Sequence, residues 1–262
     1  MSKYRLIPKL QLRPSKFNAN KLVLVITRNF SDFIEIGDPV SQAKIFQDQA
    51  SDELIFVNID LDSQSEISLL ASVINRVSQE IFMPLTVGGG VRKIEDFRTL
   101  LSNGADKISI NTEAILQPSL ISQAAEKFGS QCVVVSIDYK RNQIGEYKVF
   151  INGGRTETIW NPVEWAQEAT KLGAGELLIT SLERDGMKSG LDLEITKLIS
   201  ESVSVPVITS GGCGLAQHFS EGFLIGKANA VAAGTFFAHR DQNFIQTRSQ
   251  IFNAGVNIRK HR

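Results

Sequence analysis

Cysteine, tryptophan and histidine are scarce in this chain, and net charge is absent. The two cysteines, Cys132 and Cys213, stand in unrelated contexts among 262 residues. That excludes a disulfide framework and lacks the paired spacing of a zinc site, so free thiols in a cytoplasmic chain are expected. The three histidines, His218, His239 and His261, are scattered with no pair at ligand spacing. No metal is expected, and no cofactor. Lys+Arg 28 against Asp+Glu 28 cancel, leaving no field to draw nucleic acid or a membrane surface. No apolar run approaches a transmembrane span, and the opening Met1-Ser2-Lys3-Tyr4-Arg5 is too polar for a signal peptide.

What the chain does contain is glycine in two matching places. Residues 84–112 read Pro-Leu-Thr-Val-Gly-Gly-Gly-Val-Arg, then a helical pattern closed by Gly104, then Asp-Lys-Ile-Ser-Ile-Asn-Thr. This is a strand, glycine loop, helix and strand. Glycine amides beside a helix start can wrap an oxyanion closely, because no Cβ blocks the approach. The unit recurs from Pro206 as Pro-Val-Ile-Thr-Ser-Gly-Gly-Cys-Gly. An offset of 122 places Gly89 on Gly211, Gly90 on Gly212 and Gly104 on Gly226. Upstream the offset is 123, placing Pro39-Val40 on Pro162-Val163 and Glu53-Leu54 on Glu176-Leu177. So long a period indicates a duplicated half-domain rather than a solenoid.

Taken in order, residues 5–12 form a first strand and residues 13–36 a long flexible loop with an apolar insert at 22–26. Asp38-Pro39 opens a helix with an acidic N-cap and proline at the first position. A strand at 53–60 and a helix at 66–79 precede the first glycine unit, and a helix at 118–128 follows it. The continuous apolar run at 132–138 fits a strand covered on both faces. A hairpin excursion at 140–158, a helix at 162–172, a strand at 176–181 and a polar loop at 183–190 come next. A helix from Asp192, the second glycine unit and a final helix near 242–254 complete eight strand–helix pairs. The expectation is a single α/β domain over residues 1–262. It is a (β/α)8 TIM barrel of two homologous half-barrels, at about 1–128 and 129–262.

In such a barrel the chemistry lies at the carboxyl ends of the strands. The sequence places there Gln11, Asp60, Asp62, Gly88, Gly89, Gly90, Asn111, Thr112, Asp138, Asp185, Gly186, Ser210, Gly211, Gly212, Gly234 and Thr235. Two glycine-rich exits point to a ligand with an anionic group at each end. Asp138 and Asp185 between them are candidates for proton handling or hydroxyl binding. At the opposite end Arg5, Glu53, Lys107 and Glu176 each begin a strand. Turned inward they need one another, because an unpaired buried charge is costly. A salt-bridged plug of the barrel floor is one reading of them.

Residues 86–90, 104–112, 128–131, 173–176, 184–186 and 210–212 together resemble the cyclase subunit of imidazole glycerol phosphate synthase, of histidine biosynthesis, in order and in spacing. The resemblance runs from Arg5 to the C-terminus. It implies a lyase that converts phosphoribulosyl-formimino-AICAR phosphate, with ammonia, to imidazole glycerol phosphate and AICAR. It implies that the two glycine sites hold the substrate's phosphates and that a glutaminase partner docks on the N-terminal barrel face. Arg5, Glu53, Lys107 and Glu176 then become an ammonia gate rather than a plug. That family carries catalytic aspartates on strands one and five. Here Asp138 holds the second position and Gln11 the first, and an amide cannot serve as acid or base. The loop after strand one has Leu24 where the family has a lysine, with Lys21 and Arg28 nearby. This departure resembles paralogues of surface-polysaccharide (lipopolysaccharide) pathways, and implies an alternative reaction: ammonia-dependent amidation of a nucleotide-linked acetamido-sugar. A third possibility is a non-catalytic barrel that binds a phosphorylated metabolite and regulates its partner.

Overall fold

The computed structural model describes residues 4–28, 31–60, 67–238 and 243–259. Eight parallel strands close on themselves: β1 (Arg5–Ser15), β4 (Leu54–Asn58), β5 (Leu85–Gly88), β6 (Lys107–Ile110), β7 (Val133–Arg141), β10 (Glu176–Ser181), β11 (Val207–Ser210) and β12 (Ala230–Ala233), with β12 paired back to β1. The helices between them are α1 (Pro39–Asp48), α2 (Ile67–Ser78), α3 (Ile94–Ser102), α5 (Ser119–Phe128), α6 (Pro162–Lys171), α7 (Leu193–Ser202), α8 (Ala216–Leu224) and α10 (Phe244–Asn253). Two short helices, α4 (Thr112–Leu116) and α9 (Thr235–Ala238), sit directly at strand exits. The chain is a (β/α)8 barrel.

Local chemistry starts these helices where the sequence says they start. Asp38 accepts from the Ser41 amide at 3.0 Å ahead of Pro39. Asn161 accepts from the Val163 amide at 2.9 Å ahead of Pro162. Asp192 and Asn243 cap α7 and α10 through the amides of Ile195 and Gln246. Each side chain satisfies an amide that has no partner within the helix. His218 is spent in the same way, its Nδ1 accepting from Gly214 and Leu215 at the start of α8. His239, His261, Asp62 and Glu66 lie outside the described residues.

Strand parity divides the core in two. Leu6, Leu10, Leu12, Val133, Val135, Ile137, Leu177 and Ile179 pack outward against the helices. Ile7, Ile55, Val134, Leu178, Ile208 and Ala232 pack together inside the barrel. Because successive strand residues alternate faces, the inward row of β1 is Arg5, Ile7, Lys9 and Gln11. That of β7 is Val134, Ser136 and Asp138, and that of β10 is Glu176, Leu178 and Thr180. The interior is therefore layered, with charge at the floor, an apolar middle and a polar mouth.

Residues 13–28 and 31–36 are not a flexible loop. β1 runs on to Ser15 and folds back through β2 (Asn18–Arg28) and β3 (Ser31–Gly37) as an antiparallel ribbon. Leu22, Val23, Leu24 and Val25 are all buried, so the apolar–polar alternation that marks a one-sided strand is missing from β2. The second excursion is the hairpin expected, formed by β7, β8 (Tyr147–Ile151) and β9 (Thr156–Glu157).

Candidate active site

At the floor the four charges close into a ring. Lys107 Nζ lies 2.7 Å from Glu53 Oε1 and 2.8 Å from Glu176 Oε2, and Arg5 holds the other oxygen of each, 2.7 Å from Glu53 Oε2 and in contact with Glu176 Oε1. Thr86 adds a hydroxyl to Glu53 Oε1 at 3.1 Å. Burial opposes charge on Arg5 and Lys107, but the two carboxylates outweigh it and raise both above their ordinary values. Burial likewise pushes Glu176 upward, and the two cations overcome it and leave its carboxyl below the usual range. The ring thus favours the ionised forms of Arg5, Lys107 and Glu176. Directly above them lies the apolar layer, which offers no partner to a charged species.

At the mouth two cavities meet. The larger, about 580 Å³, is lined by Gly89, Gly90, Asn111, Thr112 and Asp138, with Asp60, Arg13, Arg92 and Arg155 around it. Its volume is that of a small-molecule site. The smaller, about 30 Å³, is lined by Asp185, Gly186, Ser210, Gly211, Gly212, Gly234 and Thr235 and by Val25, Ile26 and Thr27 of the ribbon. Lys9 and Gln11 line both. Gly88 lines neither of these two cavities: a Cβ on it would stand 2.8 Å from the Ser109 carbonyl oxygen, so it is a packing glycine of β5 against β6.

The loop glycines have a reason besides any ligand. Gly89 has φ +94°, and a Cβ there would lie 1.9 Å from the Asn58 carbonyl oxygen. Gly211 has φ +90°, and its Cβ would lie 2.6 Å from the Ser181 carbonyl oxygen. Each presses on the exit of the preceding barrel strand, and Asn58 and Ser181 stand 123 residues apart. Gly90 differs: its φ is +76°, and the nearest protein atom to an added Cβ is Ile67 Cδ1 at 4.0 Å. Gly90 is where the backbone is open toward the cavity.

Asp138 lines the larger cavity, 8% exposed. Burial raises its carboxyl most and Asp185 adds to this, while Lys9 and hydrogen bonds from Thr180 and Asn111 oppose, leaving it at about 6. Asn111 Nδ2 donates to Asp138 Oδ2 at 2.7 Å, and the buried Asn111 Oδ1 has no hydrogen-bond partner among the described residues. Burial also raises Asp185, against the pull of Lys9. Gln11 is committed to the ribbon, its Oε1 accepting from Thr27 Oγ1 at 2.9 Å. Thr112 Oγ1 accepts from the Asn152 amide, which ties the β8–β9 turn over the larger cavity.

Sequence reasoning missed Lys9. Leu24, at the position of the expected lysine, is buried in the ribbon; of the two cations near it, Lys21 is exposed and the Arg28 side chain lies outside the described residues. The mouth receives its lysine from β1 itself, where Lys9 Nζ donates to Thr180 Oγ1 at 2.9 Å. Parity carried from Arg5 through Ile7 was the available signal.

The fold and this mouth define the class, a (β/α)8-barrel enzyme with a polar two-lobed cavity at the carboxyl ends of its strands. The family model described as "Histidine biosynthesis protein" matches residues 6–242. A protein of Prochlorococcus marinus (strain MIT 9313), provisionally named imidazole glycerol phosphate synthase subunit hisF2, is 49% identical over 261 residues, 99% of each chain. The imidazole glycerol phosphate synthase subunit HisF of Alkaliphilus metalliredigens (strain QYMF) is 43% identical over 256 residues, 98% of each chain. That of Geobacillus kaustophilus (strain HTA426) is 45% identical over 231 residues, 88% of this chain and 91% of the relative. The chain belongs to the histidine biosynthesis protein family, within its HisF group of imidazole glycerol phosphate synthase subunits. No helix among the described residues is long and apolar enough to cross a membrane.

Proposed function

We propose that this protein is the cyclase half of a glutamine amidotransferase, adding ammonia from a glutaminase partner to a bisphosphate held across the mouth. By family, the product is imidazole glycerol phosphate with AICAR. The observation that carries the reading is the vertical order of the barrel interior, with the charged ring below, the apolar layer between, and above them Asp138 in the larger of two adjoining glycine-edged lobes.

Each layer has a use on this reading. Neutral ammonia can cross an apolar layer where an ammonium ion, with its solvation cost, cannot. When its lone pair adds to a carbonyl, the nitrogen becomes cationic and must lose a proton. Asp138, ionised above about 6, is placed to accept it. Gly89 and Gly90 serve one phosphate and Gly211, Gly212, Gly234 and Thr235 the other, while Asn111, Thr112, Asp185 and Gly186 contact the span between. The matched seats of Gly89 and Gly211 support descent from a duplicated half-barrel. The ring is the gate, and the partner sits beneath it.

Gln11 favours a second acceptor. An amide already bonded to Thr27 supplies no acid or base opposite Asp138, which suits amidation of an acetamido-sugar, a reaction with fewer proton transfers than ring closure. Incubation with ammonium chloride and each candidate acceptor, read by mass spectrometry, decides between them. Turnover of the bisphosphate at about 1 s⁻¹ or more establishes the cyclase. Turnover of the sugar alone establishes the alternative, and binding without turnover of either refutes both.

A further inference from the structure

We propose that Lys9 is a positioning residue for Asp138, acting through the hydroxyl of Thr180. The argument rests on Asp138 being the proton acceptor of the preceding reading. Lys9 and Thr180 stand on β1 and β10, which are not neighbours in the barrel, since β12 and β11 lie between them. The Lys9 side chain therefore reaches across the interior to place Nζ 2.9 Å from Thr180 Oγ1. It has no lower resting place, because the layer beneath is Ile7, Ile55 and Leu178.

Thr180 is fully buried and lies directly beside Asp138 in the β7–β10 pairing. Its hydroxyl shares the inward face with the Asp138 carboxylate on the neighbouring strand. A hydroxyl has one proton to give. With the Lys9 ammonium donating into the oxygen, that proton points at Asp138. The direction of the chain is set as Lys9 N–H to Thr180 oxygen, then Thr180 O–H to carboxylate. Such an arrangement favours the ionised acid, the form that accepts a proton.

Other groups facing Asp138 act differently. Asp185, from the loop after β10, opposes its ionisation. Asn111, at the end of β6, donates a neutral amide. Arg13, Arg92, Arg155, Asp60 and Glu113 line the same cavity. On its own strand, Lys140 is turned to the Gly154 carbonyl. Lys9 is the cation that acts on both Asp138 and Asp185.

The test is titration of the aspartate carboxylates by carbon NMR in the full chain, with Asp138 assigned by its loss in Asp138→Asn. Lys9→Met should raise the Asp138 midpoint by about one pH unit, the low end of the effect of removing a close opposite charge. Thr180→Val, which keeps shape and removes the hydroxyl, should raise it as well, and Lys9→Arg should hold it near the wild-type value. With the acceptor identified, the acid limb of the pH–rate profile should move the same way, kcat falling and KM holding. An unmoved midpoint in Lys9→Met overturns the proposal. A midpoint that moves in Lys9→Met but not in Thr180→Val overturns the route through Thr180. Full turnover in Asp138→Asn would instead sink the reading of Asp138 as proton acceptor, and leaves the titration result standing.

Discussion

Replacing Lys107 by alanine removes two contacts at once, 2.7 Å to Glu53 and 2.8 Å to Glu176, from carboxylates whose side chains are 2% and 5% exposed. Arg5 keeps one oxygen of each, so neither acid is stranded. Breaking a buried pair outright costs about 3–5 kcal/mol, and with Arg5 retained the loss should be nearer 2–3 kcal/mol. The pH dependence identifies the cause. Glu176 has a depressed folded pKa. It therefore contributes stability that is present above its unfolded pKa and is lost as pH falls through the folded one. Without Lys107 the depression weakens, and the carboxylate can relieve itself by taking a proton. The variant's deficit should be full at about pH 7 and smaller at about pH 3, below the usual carboxylate range. Urea unfolding of both proteins at the two pH values measures this. A deficit under about 1 kcal/mol at neutral pH, or one of equal size at both, would show that the ring is not held by these charges. The same variant reports on function. A gate changes the ratio of glutamine-driven to ammonium-driven turnover, whereas a plain plug changes the two alike.

Gly90→Ala should weaken phosphate or bisphosphate binding about tenfold or more by calorimetry, for a backbone strain of about 1–2 kcal/mol. Its methyl enters the cavity, whereas Gly89→Ala meets the Asn58 carbonyl and should destabilise the loop itself. Equal affinity in Gly90→Ala would remove that lobe from the phosphate reading. The wild-type rate should rise with pH through about 6 as Asp138 ionises. Asp138→Asn should abolish turnover with ligand affinity nearly kept, and a flat acid limb would contradict the role. Arg248→Met should cost about 3 kcal/mol in urea, because Asp52 would keep only the Leu6 amide of its two close partners.

The parts of this fold legible in the sequence were those governed by local rules. Asp38-Pro39 and Asn161-Pro162 announce helices because the cap and the fixed proline torsion act within four residues. The floor ring was legible because four charged residues at strand starts leave few other ways to satisfy them. The ribbon was not, because Leu22 to Val25 are covered on both sides and lose the period of two. The short helix α4 escaped because five residues carry no periodicity. Gly89 and Gly211 show the limit of reading glycine as an anion cradle. Their seats against Asn58 and Ser181 require glycine before any ligand arrives, so the motif by itself reports chain packing.

Strand β1 explains why an amide can stand at position 11. Its inward row runs cation, apolar, cation, amide, from Arg5 to Gln11, and the lysine is held across the barrel by Thr180. A carboxylate at position 11 would sit on the same face as Lys9 and about 7 Å along the strand, within reach of a flexible four-carbon stem. It would compete for the ammonium now directed at Thr180 and Asp138. Gln11 makes no such claim, since its carbonyl is already occupied by Thr27. The neutral residue thus leaves the Lys9 ammonium to Thr180, beside Asp138. The amide at position 11 and the cation at position 9 are two halves of one electrostatic arrangement.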